Sequence, residues 1–219
     1  EQIKPDKLFS PFEYLNCEQI GESHDILKAL YSNLFLGLQE IESRKNLVLT
    51  GPRGCGKSTV FKCLSLIHRT TINNANPEDI YYIGVYYRCD DLYTAFPRYH
   101  LPVQGELYYN IHIHYLTVTL IRDVLKSISM WVDLHFKEEF SRRESYISQL
   151  IWESIRHPRI LKPLEPGADS FHVIISKLEN ERKIIQNKHI QLLYKNSEVK
   201  PENLFGPEVL IGVCDILAK

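Results

Sequence analysis

The sequence from residue 47 to residue 59 reads Leu47-Val48-Leu49-Thr50-Gly51-Pro52-Arg53-Gly54-Cys55-Gly56-Lys57-Ser58-Thr59. From Gly51 to Ser58 it matches the phosphate-binding loop pattern G-x-x-x-x-G-K-[ST]. An apolar run enters the loop, and apolar residues recur at helical spacing after it, at Val60, Phe61, Leu64 and Ile67. The pattern therefore predicts a strand, a phosphate loop and a helix in succession.

The chemistry of a triphosphate explains this spacing. Glycines at 51, 54 and 56 let backbone N–H groups approach phosphate oxygens closely, and the helix N-terminus that follows also favours negative charge. Lys57 is expected to contact the β- and γ-phosphates, and the Ser58 hydroxyl to ligate Mg²⁺. We therefore predict binding of ATP and Mg²⁺ by the loop residues Gly51, Pro52, Arg53, Gly54, Cys55, Gly56, Lys57, Ser58 and Thr59.

Composition narrows the class of protein. With 219 residues, of which 44% are hydrophobic, the chain can bury a sizeable core. Its formal charge of -1 gives no general attraction to nucleic acid or to an anionic membrane, although a local basic patch would still allow nucleic-acid binding. No stretch has transmembrane length. The five cysteines are an odd number without C-x-x-C spacing, which favours reduced thiols in a cytoplasmic protein.

Other segments predict the helices and strands on either side of the phosphate loop. A helix is expected from about Asp25 to Lys45, a turn region over 70–78, and a second buried strand over 80–87. Strand, loop, helix and strand make a βαβ unit, so the predicted class is α/β, a P-loop NTPase core with a mostly parallel sheet. Residues 11–15, Pro-Phe-Glu-Tyr-Leu, are a candidate adenine contact or else ordinary core residues.

The second half of the chain predicts mainly helices. Long helical patterns occupy 106–135, 136–155 and 170–193, and a proline- and glycine-containing linker separates the last two. Gly206-Pro207-Glu208 is typical of a helix start. We predict residues 1–95 to be the N-terminal part of the ATPase domain and residues 96–219 to be its helix-rich continuation or an insertion in it.

ATP hydrolysis also needs an acidic residue at the end of another strand. Asp90 and Asp91 follow the second predicted strand, and Asp215 ends the apolar run 209–214, which reads either as a strand or as the helix started by Pro207. The favoured interpretation places the acidic strand beyond Lys219, in a longer protein of which this chain is a fragment. Candidate arginine fingers or nucleic-acid contacts, or else ordinary surface residues, are Arg98, Arg142, Arg143 and Arg156.

Histidines and cysteines add weaker indications. His112 and His114 are two residues apart on a predicted helix and therefore point in different directions, which argues against a shared metal ion. Cys55 stands at a helix N-terminus beside Lys57, so that it is either a reactive thiol or a small residue tolerated in the loop.

The motif 50–60, together with residues 11–15 and the segment 82–86, resembles the AAA+ and STAND ATPases. Within these the sequence is most similar to the origin-recognition-like group found in bacteria. The resemblance implies that ATP binding and hydrolysis are coupled to oligomeric assembly or to an effector partner, and several bacterial relatives serve in antiviral defence. An acidic strand, sensor residues and an arginine finger of the family pattern are not recognisable in this sequence.

Three functions are open at this point. The chain is an ATPase switch that drives assembly of a homo-oligomer or of an effector complex, a small-molecule or nucleoside kinase with the same phosphate loop, or a non-hydrolysing scaffold that retains its nucleotide. The kinase would need an acceptor pocket and mobile arginines, which the sequence does not locate.

Overall fold

A computed structural model describes residue 41 and residues 47–52, 55–72, 82–87, 106–155, 170–195 and 204–218. The chain forms two compact units, Glu1–Tyr86 and Tyr87–Lys219. The predicted domain limits, 1–95 and 96–219, stay a prediction. Outside the described residues lie the candidate adenine contact 11–15, the linker around 163–167 and all of the helix predicted from Asp25 except Ile41, which is helical.

Two short helices follow the phosphate loop in the first unit. Helix α1 spans Lys57–Cys63, and α2 spans Leu66–Ile72. The apolar spacing predicted one helix through Ile67 with a turn from Thr70, and both details were wrong, since the helix breaks at Leu64 and Ser65 and resumes to Ile72.

The break between α1 and α2 results from competition for backbone groups. The carbonyl of Lys62 accepts hydrogen bonds from the Ser65 amide (3.2 Å) and from the Ser65 hydroxyl (2.7 Å). The Leu66 amide instead donates to the carbonyl of Gly84, at 2.8 Å. A serine side chain that bonds to nearby backbone offers an alternative to the helical ladder, so the helix is interrupted here.

Gly84 allows the segment 82–87 to approach this break. A Cβ atom added at Gly84 would overlap the carbonyl oxygen of Leu64. Only glycine therefore fits at this contact, for reasons of space, since the backbone of Gly84 is not in the left-handed region. Next to it, the guanidinium of Arg69 lies 4.5 Å from the centre of the Tyr82 ring, a cation–π contact that ties α2 to the same segment.

The predicted α/β class with a mostly parallel sheet was wrong. The described residues are predominantly helical, and none of them is in a strand, neither in 47–50 nor in 82–87. A central strand of a parallel sheet is buried on both faces and hydrogen-bonded along both edges. Leu47 and Val48 are instead 46% and 88% exposed, and the carbonyl of Gly84 is used by the helix break. Apolar and β-branched composition predicted strands, but the pairing that a strand needs is not formed.

The second unit contains four helices among its described residues. They are α3 (Glu106–His135), α4 (Lys137–Ile155), α5 (Phe171–Lys195) and α6 (Pro207–Leu217). These bounds confirm the predictions for 106–135, 136–155, 170–193 and the start at Pro207 to within two residues. Helix α6 begins as expected, with Gly206 extended before it and proline in its first turn. Proline lacks a backbone N–H, but no hydrogen bond is lost, because the first amides of a helix have no partner within the helix.

The core of this unit lies along α3. Helix α5 packs along α3, and α6 packs against both α3 and α4. Each helix contributes one apolar stripe to a single cluster, as amphipathic helices do when they bury one face. Its most buried members include Val118, Ile121, Leu125, Ile151, Ile155, Phe171, Ile174 and Val213.

A chain of polar contacts also joins α3 to α5. Arg122 on α3 pairs with Asp123 and Glu179 at 2.7 Å each, and Arg182 on α5 pairs with Glu179 at 3.1 Å. Arg182 also donates to the Tyr115 hydroxyl, at 2.8 Å. Burial raises the pKa of the Asp123 carboxyl above its ordinary value, although the Arg122 guanidinium acts against this shift. Because the Arg122–Glu179 ion pair joins α3 to α5, it fixes the rotation of α5 about its own axis relative to α3.

His114 on α3 anchors the segment that leads into α6. The side chain is 1% exposed, and its Nδ1 accepts the Phe205 backbone amide at 2.8 Å. Since Nδ1 is an acceptor, the ring proton is on Nε2, which lies 3.3 Å from Oε1 of Glu181 on α5. The Phe205 ring packs against the imidazole, with the ring centres 5.0 Å apart. One imidazole thus connects three parts of the unit.

We expect His114→Ala to lower the free energy of unfolding by about 3 kcal/mol, since it leaves a cavity and a buried amide without an acceptor. Urea denaturation followed by circular dichroism measures this loss. His172→Ala is the matched control, because His172 is exposed on α5, and its effect is expected within about 0.5 kcal/mol. Equal losses in the two variants would contradict the anchoring role of His114.

Candidate nucleotide-binding site

The described part of the phosphate loop has a backbone shaped by glycine. Gly56 immediately precedes α1 with φ 86 and ψ 7, in the left-handed region, where a residue with a Cβ is strained. Its carbonyl accepts the amide of Val60 at 2.9 Å, which closes the first turn of α1. Gly56 therefore makes the sharp passage from loop to helix possible. Arg53 and Gly54 lie outside the described residues.

Lys57 folds back over the loop. Its Nζ donates to the carbonyl oxygens of Gly51 (2.7 Å) and Pro52 (2.8 Å) and lies 3.4 Å from Sγ of Cys55. An ammonium has three N–H donors and no acceptor, so these contacts use its full capacity. The amide of Cys55 also reaches the Pro52 carbonyl, at 3.4 Å. The ammonium thus braces the beginning of the loop against its end and places a positive charge between them.

Gly51 lies close to the side chain of Cys55. A Cβ atom added at Gly51 would lie 2.8 Å from Sγ of Cys55, closer than real Cβ contacts come. A side chain at this position would therefore have to displace the thiol that faces it. Cys55 is nevertheless exposed to solvent, so the thiol lies at the open surface of the loop.

The first turn of α1 provides further groups for an anion. The amides at the start of any helix have no partner within the helix, and they favour phosphate. Ser58 is exposed in this turn, and Thr59 is partly buried. The donor set of ammonium, helix amides and a hydroxyl suits a phosphate chain with Mg²⁺, for which Ser58 would supply an oxygen ligand. The assignment of residues 51–59 to the site stays a prediction.

The other candidate residues are less closely placed by the structure. Asp215 is exposed on α6, so the interpretation of 209–214 as a strand was wrong and the helix interpretation is confirmed. Arg142 lies on α4, as does Arg143, whose side chain is exposed. Asp90, Asp91, Arg98 and Arg156 lie outside the described residues. The acidic strand beyond Lys219 stays a prediction.

Some polar residues that organise the second unit were missed in the sequence. The ion-paired Arg122 and Arg182 were not singled out, although Glu179 and Arg182 stand three residues apart, a spacing that favours pairing on a helix. The described residues contain no group of three or more His, Cys, Asp or Glu side chains suited to a metal ion, and the expectation that His112 and His114 share no metal ion stays a prediction. None of the described helices combines the length and apolar character that a membrane span requires.

Comparison with known proteins gives one match. A family model described as ORC-CDC6-like matches residues 10–218, a range that extends over most of both compact units. Neither a characterised protein nor a solved structure was found to match the chain.

Proposed function

The chain belongs to the ORC-CDC6-like family, an origin-recognition-like group of AAA+ ATPases, and from this premise we propose that it is a nucleotide-dependent switch. It binds ATP with Mg²⁺ through the loop 51–59, hydrolyses ATP slowly when alone, and couples its nucleotide state to assembly with copies of itself or with an effector protein. By resemblance to bacterial relatives, the proposal extends to a role in antiviral defence.

The placement of Lys57 is the observation that carries this proposal. A lysine on a short surface helix ordinarily extends its ammonium into water, where hydration is most favourable. Here the ammonium is directed inward, to the carbonyls of Gly51 and Pro52. A glycine-rich loop whose own carbonyls hold an ammonium beside a helix N-terminus is suited to bind an anion, and the family match makes ATP the expected one.

The residues of the loop have distinct roles in binding. Lys57 provides positive charge for the β- and γ-phosphates, and the amides at the start of α1 donate to phosphate oxygens. The Ser58 hydroxyl is the proposed ligand of Mg²⁺, which neutralises the charge of the phosphates and polarises the γ-phosphoryl group when bound. Gly56 maintains the turn that directs these groups toward one position.

Coupling to assembly requires a difference in affinity between two states. ATP can drive assembly only if the assembled protein binds it more tightly than the free chain does, and assembly then tightens ATP binding by the same factor. The helices of the second unit supply exposed surface for such contacts. Tyr146 on α4 and Ile211 on α6 are 64% and 60% exposed, and both are large enough to contribute to a protein interface.

The fate of γ-labelled ATP tests the proposed function. The full chain is incubated with labelled ATP and Mg²⁺, and free phosphate, labelled acceptors and protein-bound nucleotide are separated over time. We expect bound ATP together with a slow release of free phosphate, and both are expected to diminish when EDTA removes Mg²⁺. Transfer of label to an added small-molecule acceptor would favour a kinase instead. Intact ATP retained without turnover, alone or in complexes, would favour a scaffold.

A further inference from the structure

We propose that the outer face of α4 is a contact surface for a second copy of this chain, paired antiparallel about a two-fold axis. The surface is a stripe of four residues, the α4 stripe, formed by Arg143, Tyr146, Leu150 and Glu153. The inference names a partner and a surface for assembly, and its role in a nucleotide-dependent switch rests on the proposed function.

The α4 stripe lies on one side of its helix. The spacing of three, four and three residues keeps its members on a single helical face. Arg143 and Glu153 are exposed, Tyr146 is 64% exposed, and Leu150 is partly exposed. The opposite side of α4 is buried in the unit, at Ser148, Ile151, Trp152 and Ile155. The α4 stripe therefore faces solvent in the single chain.

The charged ends of the α4 stripe are not paired within the described part of the chain. None of the ion pairs between described residues involves Arg143 or Glu153. The two residues are ten positions apart on α4, a rise of about 15 Å, so they do not reach each other. Between them, Tyr146 and Leu150 present apolar surface. A cation, two apolar side chains and an anion in this order are complemented by a partner with the same order reversed.

A second, antiparallel copy of α4 is such a partner. Arg143 and Glu153 stand five positions on either side of position 148, and Tyr146 and Leu150 stand two positions on either side of it. A two-fold axis at position 148 therefore places Arg143 against Glu153 of the second copy. It also places Tyr146 against Leu150 of the second copy, and each contact is made twice. A self-complementary patch of this kind is what an isologous dimer interface requires.

The charges also disfavour other pairings of the same face. A parallel pair would place Arg143 beside Arg143 of the second copy, and Glu153 beside its equivalent. An antiparallel pair centred on Tyr146 would bring Glu139, which is exposed on the same side of α4, opposite Glu153 of the second copy. Like charges in contact oppose both arrangements, so the antiparallel register centred on position 148 is favoured.

The contact is small, so a weak dimer is expected. The α4 stripe spans about three helical turns, and interfaces below about 1,200 Å² in total are typical of transient contacts. Ile211 on α6 adds exposed apolar surface near the Glu153 end, because the neighbouring Gly212 lies against Ser154. We expect a Kd of roughly 10–100 µM for the nucleotide-free chain. A contact this weak suits a switch, since a modest gain from bound ATP changes the assembled fraction.

Charge reversal at the two ends of the α4 stripe tests this pairing, by sedimentation equilibrium of the full chain without nucleotide. Arg143→Glu and Glu153→Arg each place like charges at both ends of the pair, and each is expected to raise the dimer Kd about 10-fold or more. An equimolar mixture of the two variants is expected to dimerise about as well as the wild type, because every acidic end then faces a basic one. The double variant, with both substitutions in one chain, is expected to dimerise equally for the same reason.

Lys177→Glu is the control variant. Lys177 is exposed on α5, so this variant reverses a charge outside the α4 stripe, and its dimer Kd is expected to equal that of the wild type. An arginine finger acts on bound nucleotide, so a change in nucleotide-free association is not explained by such a role of Arg143. A wild type that stays monomeric at high micromolar concentration, or a mixture that associates no better than each variant alone, would overturn the inference alone. A wild type that does not bind ATP would overturn the proposed function and leave the measured dimer unaffected.

Discussion

Lys57→Ala is expected to weaken ATP binding by at least about 30-fold while the chain remains folded. The substitution removes the cation expected to pair with the phosphates, and removing one partner from a charge pair that the bound nucleotide buries costs about 2–5 kcal/mol. It also removes the brace between the carbonyls of Gly51 and Pro52 and the start of α1. Calorimetric titration with Mg-ATP measures the affinity, and circular dichroism checks the fold.

Lys62→Ala is the matched control for this experiment. Lys62 lies in the last turn of the same seven-residue helix, so the variant removes an identical side chain without touching the loop carbonyls. Its ATP affinity is expected to remain within a few-fold of the wild type. Undiminished ATP binding by folded Lys57→Ala would refute the assignment of the loop as the nucleotide site.

Assembly of the full-length protein is expected to raise its ATP turnover by about three to five orders of magnitude if a neighbour supplies an arginine to the γ-phosphate. In the described residues, Arg122 and Arg182 are engaged with acidic partners and the Tyr115 hydroxyl on α3 and α5. Arg143 is exposed on α4 and stays a candidate, and we expect the stimulating arginine to be presented by another copy or by a partner protein. A chain at low concentration is then expected to bind ATP but to turn it over slowly.

Sedimentation with and without Mg-ATP, paired with turnover measured over a range of protein concentrations, tests this expectation. Specific activity is expected to rise with concentration, in step with the sedimenting oligomer. A control adds Lys57→Ala protein to dilute wild type. The variant does not bind ATP but keeps its arginines, so it is expected to raise the ATP turnover of the wild-type copies that it contacts. A monomer at all concentrations, with constant specific activity and no response to candidate partners, would contradict the switch.

The helices of the second unit were largely predictable because their signals are local. Apolar spacing over 106–135 and the sequence Gly206-Pro207-Glu208 each specify a helix without reference to the rest of the chain. The hydrogen bond between Phe205 and His114 joins residues 91 positions apart. No periodicity encodes such a contact, so the anchoring role of His114 could be recognised only in the structure.

The first unit shows where local composition misleads. Apolar and β-branched residues at 47–49 and 80–87 predicted strands, since the same residues favour strands wherever partners exist. Whether partners exist is a property of the whole fold. Ser65 likewise has the spacing of a helix interior, but its hydroxyl competes for the Lys62 carbonyl, and this competition succeeds because Gly84 offers the Leu66 amide another acceptor.

The phosphate loop was the part of the candidate site most open to prediction. Its residue types are constrained by close approach to an anion, and the left-handed turn at Gly56 follows from the motif itself. The contact between Cys55 and Lys57 did not follow from the motif. The orientation of a flexible lysine side chain depends on which acceptors the folded loop presents. The motif thus predicted the chemistry of the site but not the contacts that Lys57 makes within the loop.

The shortness of α1 has an energetic consequence. A helix of seven residues is far below the about 12–15 residues at which isolated helices become marginally stable. Its order depends on the Leu66–Gly84 hydrogen bond and on the burial of Cys63 and Leu66. We therefore expect the loop to belong to a segment that opens locally at lower cost than the packed helices of the second unit. A ligand at 100 times its Kd raises the free energy of local opening by about 2.7 kcal/mol. Nucleotide binding and the local folding of this segment are therefore thermodynamically linked.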